Sequence, residues 1–235
     1  MNNVIELVDV SYCYPDGSLG IKSVTLNVAK DEKVAILGSN GSGKSTLILL
    51  MAGLLKPTRG EVRIFGLNPE KKYIENIRRK IGVVFQNPDD FLFNSTVMEE
   101  LTYVPKQLRW SREEIEGRVK EIAEIFGIDK ILEKPPFRLS GGEKKKVEIA
   151  SVLIYRPEVL LLDEPTANVD GKTKRKIIEI LKNYQGTIVI STHEIQIAEM
   201  IAEKFVLING KHEIEAVGGR EILQKYDLLE EIGVI

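Results

Sequence analysis

Gly38-Ser39-Asn40-Gly41-Ser42-Gly43-Lys44-Ser45-Thr46 sets glycines, a lysine and hydroxyls at a spacing that fits G-x-x-x-x-G-K-[ST]. Glycines at these places let backbone N–H groups approach an anion, and a helix N-terminus just beyond adds partial positive charge. Lys44 would reach the β- and γ-phosphates of a nucleotide, and the Ser45 hydroxyl would ligate Mg²⁺. Far along the chain, Asp163-Glu164 closes the apolar run Val159-Leu160-Leu161-Leu162. Two adjacent carboxylates at the end of a buried strand are costly unless they do chemistry. Beside a phosphate loop, the Asp holds Mg²⁺ and the next acid acts as general base toward the attacking water. Gln86 and His193 end two further apolar runs. Gln86 could hold a metal-bound water or be a solvated loop amide. His193 could be structural, but a strand end beside the proposed γ-phosphate favours a functional role. Ser140-Gly141-Gly142 opens a helix and offers a second anion site; the alternative is a Ser N-cap with loop glycines. Tyr12 and Tyr14 precede the loop, where an aromatic could stack on a base or simply lie on a sheet surface.

The elements that must carry these residues are legible from periodicity and punctuation. Alternation predicts strands over Ile5–Tyr14 and Ile21–Val28, separated by Pro15-Asp16-Gly17. Val34–Leu37 reads as the strand feeding the glycine loop, and Leu47–Leu55 as the helix after it. Gly60–Gly66 brackets a short strand, 71–80 is partly helical, and Ile81–Phe85 is a buried strand ending at Gln86. From Phe91 to about Ile154 strand signals cease. Helices are expected over Val97–Leu108, over Arg112–Phe126 behind the capping box Ser111-x-x-Glu114, and from Ser140 onward. Lys144, Lys145 and Lys146 read as a solvated helix face. Val159–Leu162 and Thr187–Ser191 are buried strands, with helices over Lys172–Tyr184 and Ile195–Ala202. A hairpin turned at Asn209-Gly210 and a terminal helix over Gly219–Glu231 follow.

The chain has 235 residues, 43% hydrophobic and 29% charged, as in an ordinary globular protein. A net charge of −2 supplies no basic field, so no nucleic-acid partner is expected. Cys13 is the single cysteine, which excludes an internal disulfide and suits a reducing cytosol. No secretory signal is expected from Met1–Ser11, and no apolar run approaches the ~18 residues that would span a membrane.

These motifs, in this order, resemble the ATP-binding cassette (ABC) ATPase subunits of transporters over nearly the whole chain. Gly38–Thr46 is similar to the Walker A loop, Gln86 to the Q-loop, and Leu139-Ser140-Gly141-Gly142-Glu143 to the LSGGQ signature. Val159–Glu164 matches Walker B, Asn168-Val169-Asp170 the D-loop, and His193 the switch histidine; Tyr14 takes the place of the adenine-stacking aromatic. Glu143 stands where the signature has Gln, and Lys146 where an Arg is common. A carboxylate near a phosphate is repulsive unless paired, as by one of the following lysines. Phe85-Gln86-Asn87-Pro88-Asp89-Asp90 and the residues after it are similar to energy-coupling-factor and cobalt or nickel importers.

The resemblance implies an α/β fold: a phosphate-loop core with N-terminal antiparallel strands and an inserted helical lobe. Residues 1–235 would form one ABC ATPase domain, with a core lobe of 1–90 and 155–235 and a helical lobe of about 91–154. It implies ATP and Mg²⁺ as ligands, with Ser45, Asp163 and Gln86 around the metal and Glu164, His193 and Gln86 as catalytic groups. Two subunits, identical or paralogous, would close head to tail so that Ser140 and Gly142 of one cover the γ-phosphate on the other. Membrane-spanning transporter subunits would be the partners, and the cytoplasmic membrane face the location. A soluble non-transport ABC ATPase is the alternative reading; a phosphate-loop kinase would have no use for the signature.

Overall fold

The computed structural model describes residues 2–69 and 72–235. Lys71, where the expected partly helical stretch begins, lies outside the described residues. The chain divides into two compact units, Met1–Val83 with Glu158–Glu164 and Tyr184–Ile235, and Val84–Pro157 with Pro165–Asn183.

In the first unit, β1 (Asn3–Cys13), β2 (Leu19–Ala29) and β4 (Arg59–Ile64) form an antiparallel sheet in the order β2-β1-β4. Alternating residues of β1 and β2, among them Ile5, Leu7, Val10, Val24, Leu26 and Val28, bury one face. A six-stranded sheet runs β5-β6-β7-β3-β8-β9, with β3 (Lys33–Leu37), β5 (Ile81–Val84), β6 (Val159–Asp163), β7 (Thr187–Thr192), β8 (Lys204–Ile208) and β9 (Ile214–Gly218). β3 pairs in parallel with β7 and β8, and β6 with β7, while β9 is an antiparallel edge. β6 and β7 are buried at every position, which explains why they read as continuous apolar runs rather than alternating ones. Helix α1 (Lys44–Met51) buries Leu47, Ile48, Leu50 and Met51 in the core shared by the two sheets.

The second unit is helical. α3 (Val97–Gln107), α4 (Arg112–Phe126), α5 (Gly141–Leu153) and α6 (Gly171–Asn183) carry it; the short α2 (Ile74–Arg78) and α7 (Ile195–Ile201) belong to the first. The unit starts at Val84 and also takes in Pro165–Asn183, so it extends beyond the stretch 91–154 in which strand signals cease. The Ser111 capping box is present as its sequence predicts, with Glu114 N–H donating to Ser111 Oγ and Ser111 N–H donating to the Glu114 carboxylate.

Three expectations are corrected. α1 begins at Lys44, directly out of the glycine loop, and ends at Met51, since Gly53 turns out at φ +66°. The hairpin is wider than an Asn-Gly turn: Ile208 pairs with Ile214. Asn209 organises the loop between them, its Oδ1 accepting from the N–H groups of Lys211 and Glu213. Instead of one terminal helix there is a 3-10 turn at Arg220–Gln224, then α8 (Tyr226–Glu231). Lys225, at φ −88° and ψ 83°, breaks the run. On a continuous helix Leu223 and Leu229 would point about 120° apart; the break lets both be buried.

Candidate active site

The phosphate loop joins the C-terminal end of β3 to α1, where parallel sheets bind ligands. Gly43 caps α1 in the left-handed region at φ +102°, and a Cβ there would lie 2.1 Å from the Gly20 carbonyl. At Gly38 a Cβ would meet the Ile208 carbonyl and Ser42 Oγ, each at 2.6 Å. Only glycine fits either position, so the backbone is held where its N–H groups can face an anion. Lys44 is buried, and its Nζ donates to the carbonyls of Gly38 (2.8 Å) and Ser39 (2.9 Å). Burial pushes this ammonium below the usual lysine range, against the opposing pull of Glu164 and Asp163. Tyr14 stands beside the loop's last residue, its hydroxyl 2.8 Å from Thr46 Oγ1 and its ring edge-on to Tyr12 with centroids 5.0 Å apart. The loop is also tied from the far end of the chain, where Ser39 N–H donates to the Ile232 carbonyl at 3.1 Å.

The acid pair lies at the end of β6, two strands from β3 in the sheet order. Asp163 is buried and accepts a hydrogen bond from Ser191 Oγ on β7. Glu164 then leaves the strand at φ +45°, a conformation costly for a non-glycine residue, by about 1 kcal/mol or more. The turn is held because Glu164 N–H donates to the Ser191 carbonyl at 3.1 Å. It carries the Glu164 carboxylate to 4.0 Å from Lys44 Nζ and 2.9 Å from His193 Nδ1. A proton on Nδ1 donates to that carboxylate and leaves Nε2 free to face outward. Glu164 Oε2 and Ser42 Oγ are buried without a partner. Orphaned acceptors of this kind, a glycine-built cradle and a buried cation fit a polyphosphate and a water nucleophile. For a metal, Asp163 and Ser45 are hard oxygen donors. Among the described residues no cluster of three or more His, Cys, Asp or Glu could hold an ion unaided. That donor set suits Mg²⁺, which completes its shell with substrate phosphates and water.

The remaining motif residues belong to the second unit. Gln86 follows β5 at the start of this unit. Ser140 caps α5, and its signature partner Glu143 completes a second capping box. Glu143 Oε2 accepts from both the N–H and the hydroxyl of Ser140, each at 2.8 Å. The Ser140 N–H is the main influence holding its carboxyl below the usual range; Lys134 and Lys146, the latter one of the following lysines, contribute less. Gly142 has no room for a larger residue without displacing Thr173 Oγ1 and Asp170 Oδ2, at 3.1 and 3.2 Å from a built Cβ. Asp170 is spent on α6: it accepts from the N–H groups of Lys172 and Thr173 and from the Thr173 hydroxyl. Leu139 is buried just ahead of the cap.

The lysine run after the signature is not a solvated face. Lys145 is 1% exposed and Glu148 is fully buried. Sequence reasoning missed this pair; the available signal was an opposite charge three residues on, on a helix whose neighbours Val147, Ile149 and Ala150 are apolar.

Fold and site together define a class, the nucleoside triphosphatases built on a phosphate loop. Within it, the family described as "ABC transporter" matches residues 21–167. An Archaeoglobus fulgidus protein assigned to the ABC transporter ATP-binding proteins is 67% identical over 99% of this chain and 98% of its own. The energy-coupling factor transporter ATP-binding protein EcfA of Methanocaldococcus jannaschii is 44% identical over 88% of this chain and 77% of its own. Among solved structures, CbiO1 of Clostridium perfringens, part of the ABC transporter complex CbiONQ, superposes with a TM-score of 0.83 at 32% identity over 100% of this chain and 96% of that one. The dimeric, post-hydrolysis cassette MJ0796, bound to ADP and Pi, gives 0.83 at 32% identity over 92% and 98%. The chain belongs to the ABC transporter family. It is an ATP-binding, ATP-hydrolysing subunit of that family.

Proposed function

We propose that this subunit dimerises around ATP and Mg²⁺ to power import of a metal ion or vitamin through separate membrane-spanning subunits, docking peripherally on the cytoplasmic face. Likeness to EcfA and to CbiO1 supports the importer reading, and the dimeric MJ0796 cassette supports a paired state. Among the described residues the structure has no helix long and apolar enough to cross a membrane.

The backbone of Gly38–Thr46 and Lys44 grip the phosphates, and Tyr14 backs the base. Ser45 and Asp163, with Gln86 as a further ligand, would hold Mg²⁺, which when bound would supply charge neutralisation at the phosphates. Glu164 takes the proton of the attacking water, and His193, hydrogen-bonded to it, keeps that carboxylate oriented while Nε2 addresses the γ-phosphate. From a second copy, Ser140 and Gly142 supply an N–H-lined helix start to the same phosphate, flanked by Leu139, Gly141 and Glu143, with Asp170 in the adjoining loop.

The observation that carries this reading is the Glu164 carboxylate, buried with one oxygen unpartnered beside Lys44 and His193. Glu164→Gln is expected to slow hydrolysis by about 10²–10⁴ while ATP still binds. In that variant, ATP with Mg²⁺ should convert monomer to dimer by light scattering. Near-normal turnover would reassign the base, and a protein that stays monomeric would remove the paired state.

A further inference from the structure

Lys145 and Glu148 form a buried ion pair at 2.9 Å that the proposed chemistry leaves unused. Each spends its remaining capacity on the same stretch of backbone. Lys145 Nζ donates to the carbonyls of Phe85 (2.7 Å) and Gln86 (3.1 Å), and Glu148 Oε1 accepts from the Phe85 N–H (2.7 Å). All three ammonium donors are thereby engaged, and both backbone polar groups of Phe85 are held. One residue before Lys145, Lys144 Nζ meets Asp89 at 2.6 Å. The segment concerned begins where β5 ends, so the helix takes over from the sheet the duty of satisfying this backbone.

We propose that the Lys145–Glu148 pair is a positioning device that clamps the Phe85–Gln86 backbone to the helix opening at Ser140. Gln86 and the Ser140–Gly142 turn then move as one body, so a displacement of either is felt by the other. A buried pair usually brings little net stability, because desolvation consumes the attraction. Its use here is geometric: two charges fix two carbonyls and one N–H that neutral side chains would hold less tightly. The inference rests on the role proposed for Gln86, while the contacts themselves do not.

The test uses the whole chain with Lys145→Met/Glu148→Leu, which removes both charges and leaves neither buried alone. Lys145→Met/Glu148→Gln, which keeps an acceptor for the Phe85 N–H, serves if the first variant fails to fold. Amide hydrogen exchange, ATP affinity, kcat and the Mg²⁺ concentration for half-maximal activity are measured on the folded variant. Expected are exchange at Phe85 and Gln86 faster by about tenfold or more with α4 unchanged, kcat lower by about tenfold with ATP affinity within about twofold, and a raised Mg²⁺ requirement. Wild-type protection at Phe85 and Gln86, or wild-type kcat and Mg²⁺ dependence, overturns the proposal. Gln86→Ala separates the two ideas: if it leaves kcat intact while the double variant loses both protection and rate, the clamp stands and the role read for Gln86 falls.

Discussion

Ser140 has one hydroxyl proton and two acceptors in prospect. In this structure the proton goes to Glu143, which also takes the Ser140 N–H, so the carboxylate that completes the helix cap also occupies the donor proposed for a partner's ATP. Hydrogen bonds to a charged acceptor are roughly twice as strong as neutral ones, and the same charge repels phosphate. Glu143→Gln keeps the cap's shape, weakens the hold on the Ser140 hydroxyl and removes the repulsion. In a Glu164→Gln background it is expected to tighten the ATP-bound dimer by about tenfold, read by analytical ultracentrifugation across protein concentrations. An unchanged dimerisation constant would mean that Ser140 is released at no cost. Glu164 shows the complementary case. Its left-handed backbone is strain kept in place by the hydrogen bond to the Ser191 carbonyl, and it sets the carboxylate beside Lys44 instead of along the strand.

Among the elements, α4 was the easiest to read, because its capping box Ser111-x-x-Glu114 needs only residues three apart, whereas the second box, Ser140 with Glu143, went unread beside the signature. Ser111→Ala should cost about 1 kcal/mol of stability in urea unfolding without changing ATP affinity; a loss near zero would mean that packing of Ile115, Val119 and Ile122 alone sets the start of α4. The glycine loop, the acid pair and the buried parallel strands were equally legible, since each depends on neighbours in sequence. What escaped depends on distant groups. Lys145 looks like its neighbours in a charged run, and only Glu148 and the Phe85 peptide make its burial tolerable. The hairpin loop was misjudged because Asn-Gly suggested a tight turn, whereas the Asn209 side chain bonds two N–H groups and organises a longer one. The terminal helix was misjudged because apolar spacing there satisfies burial only with a break at Lys225.

Over the whole molecule, the groups proposed for nucleotide chemistry are divided between the two units. Gly38–Thr46, Tyr14, Asp163, Glu164 and His193 lie in one, and Gln86, Leu139–Glu143 and Asp170 in the other. Such a division predicts separable losses. Lys44→Ala should weaken ATP binding to the isolated subunit by about tenfold or more in calorimetry, since it removes a charged contact worth roughly 1.5–3 kcal/mol. Ser140→Ala should leave that affinity within about twofold and abolish the ATP-dependent dimer. If both variants lose affinity alike in the monomer, the signature acts on its own subunit's nucleotide and the head-to-tail arrangement is wrong. One contact also reaches from the last helix to the first motif: the Ile232 carbonyl, just past α8, takes the N–H of Ser39. A bulky group attached to this six-residue helix, whether an affinity handle or a fluorescent reporter, would pull on the segment that steadies the phosphate loop. Kinetic constants for this ATPase are therefore best taken with α8 left unburdened.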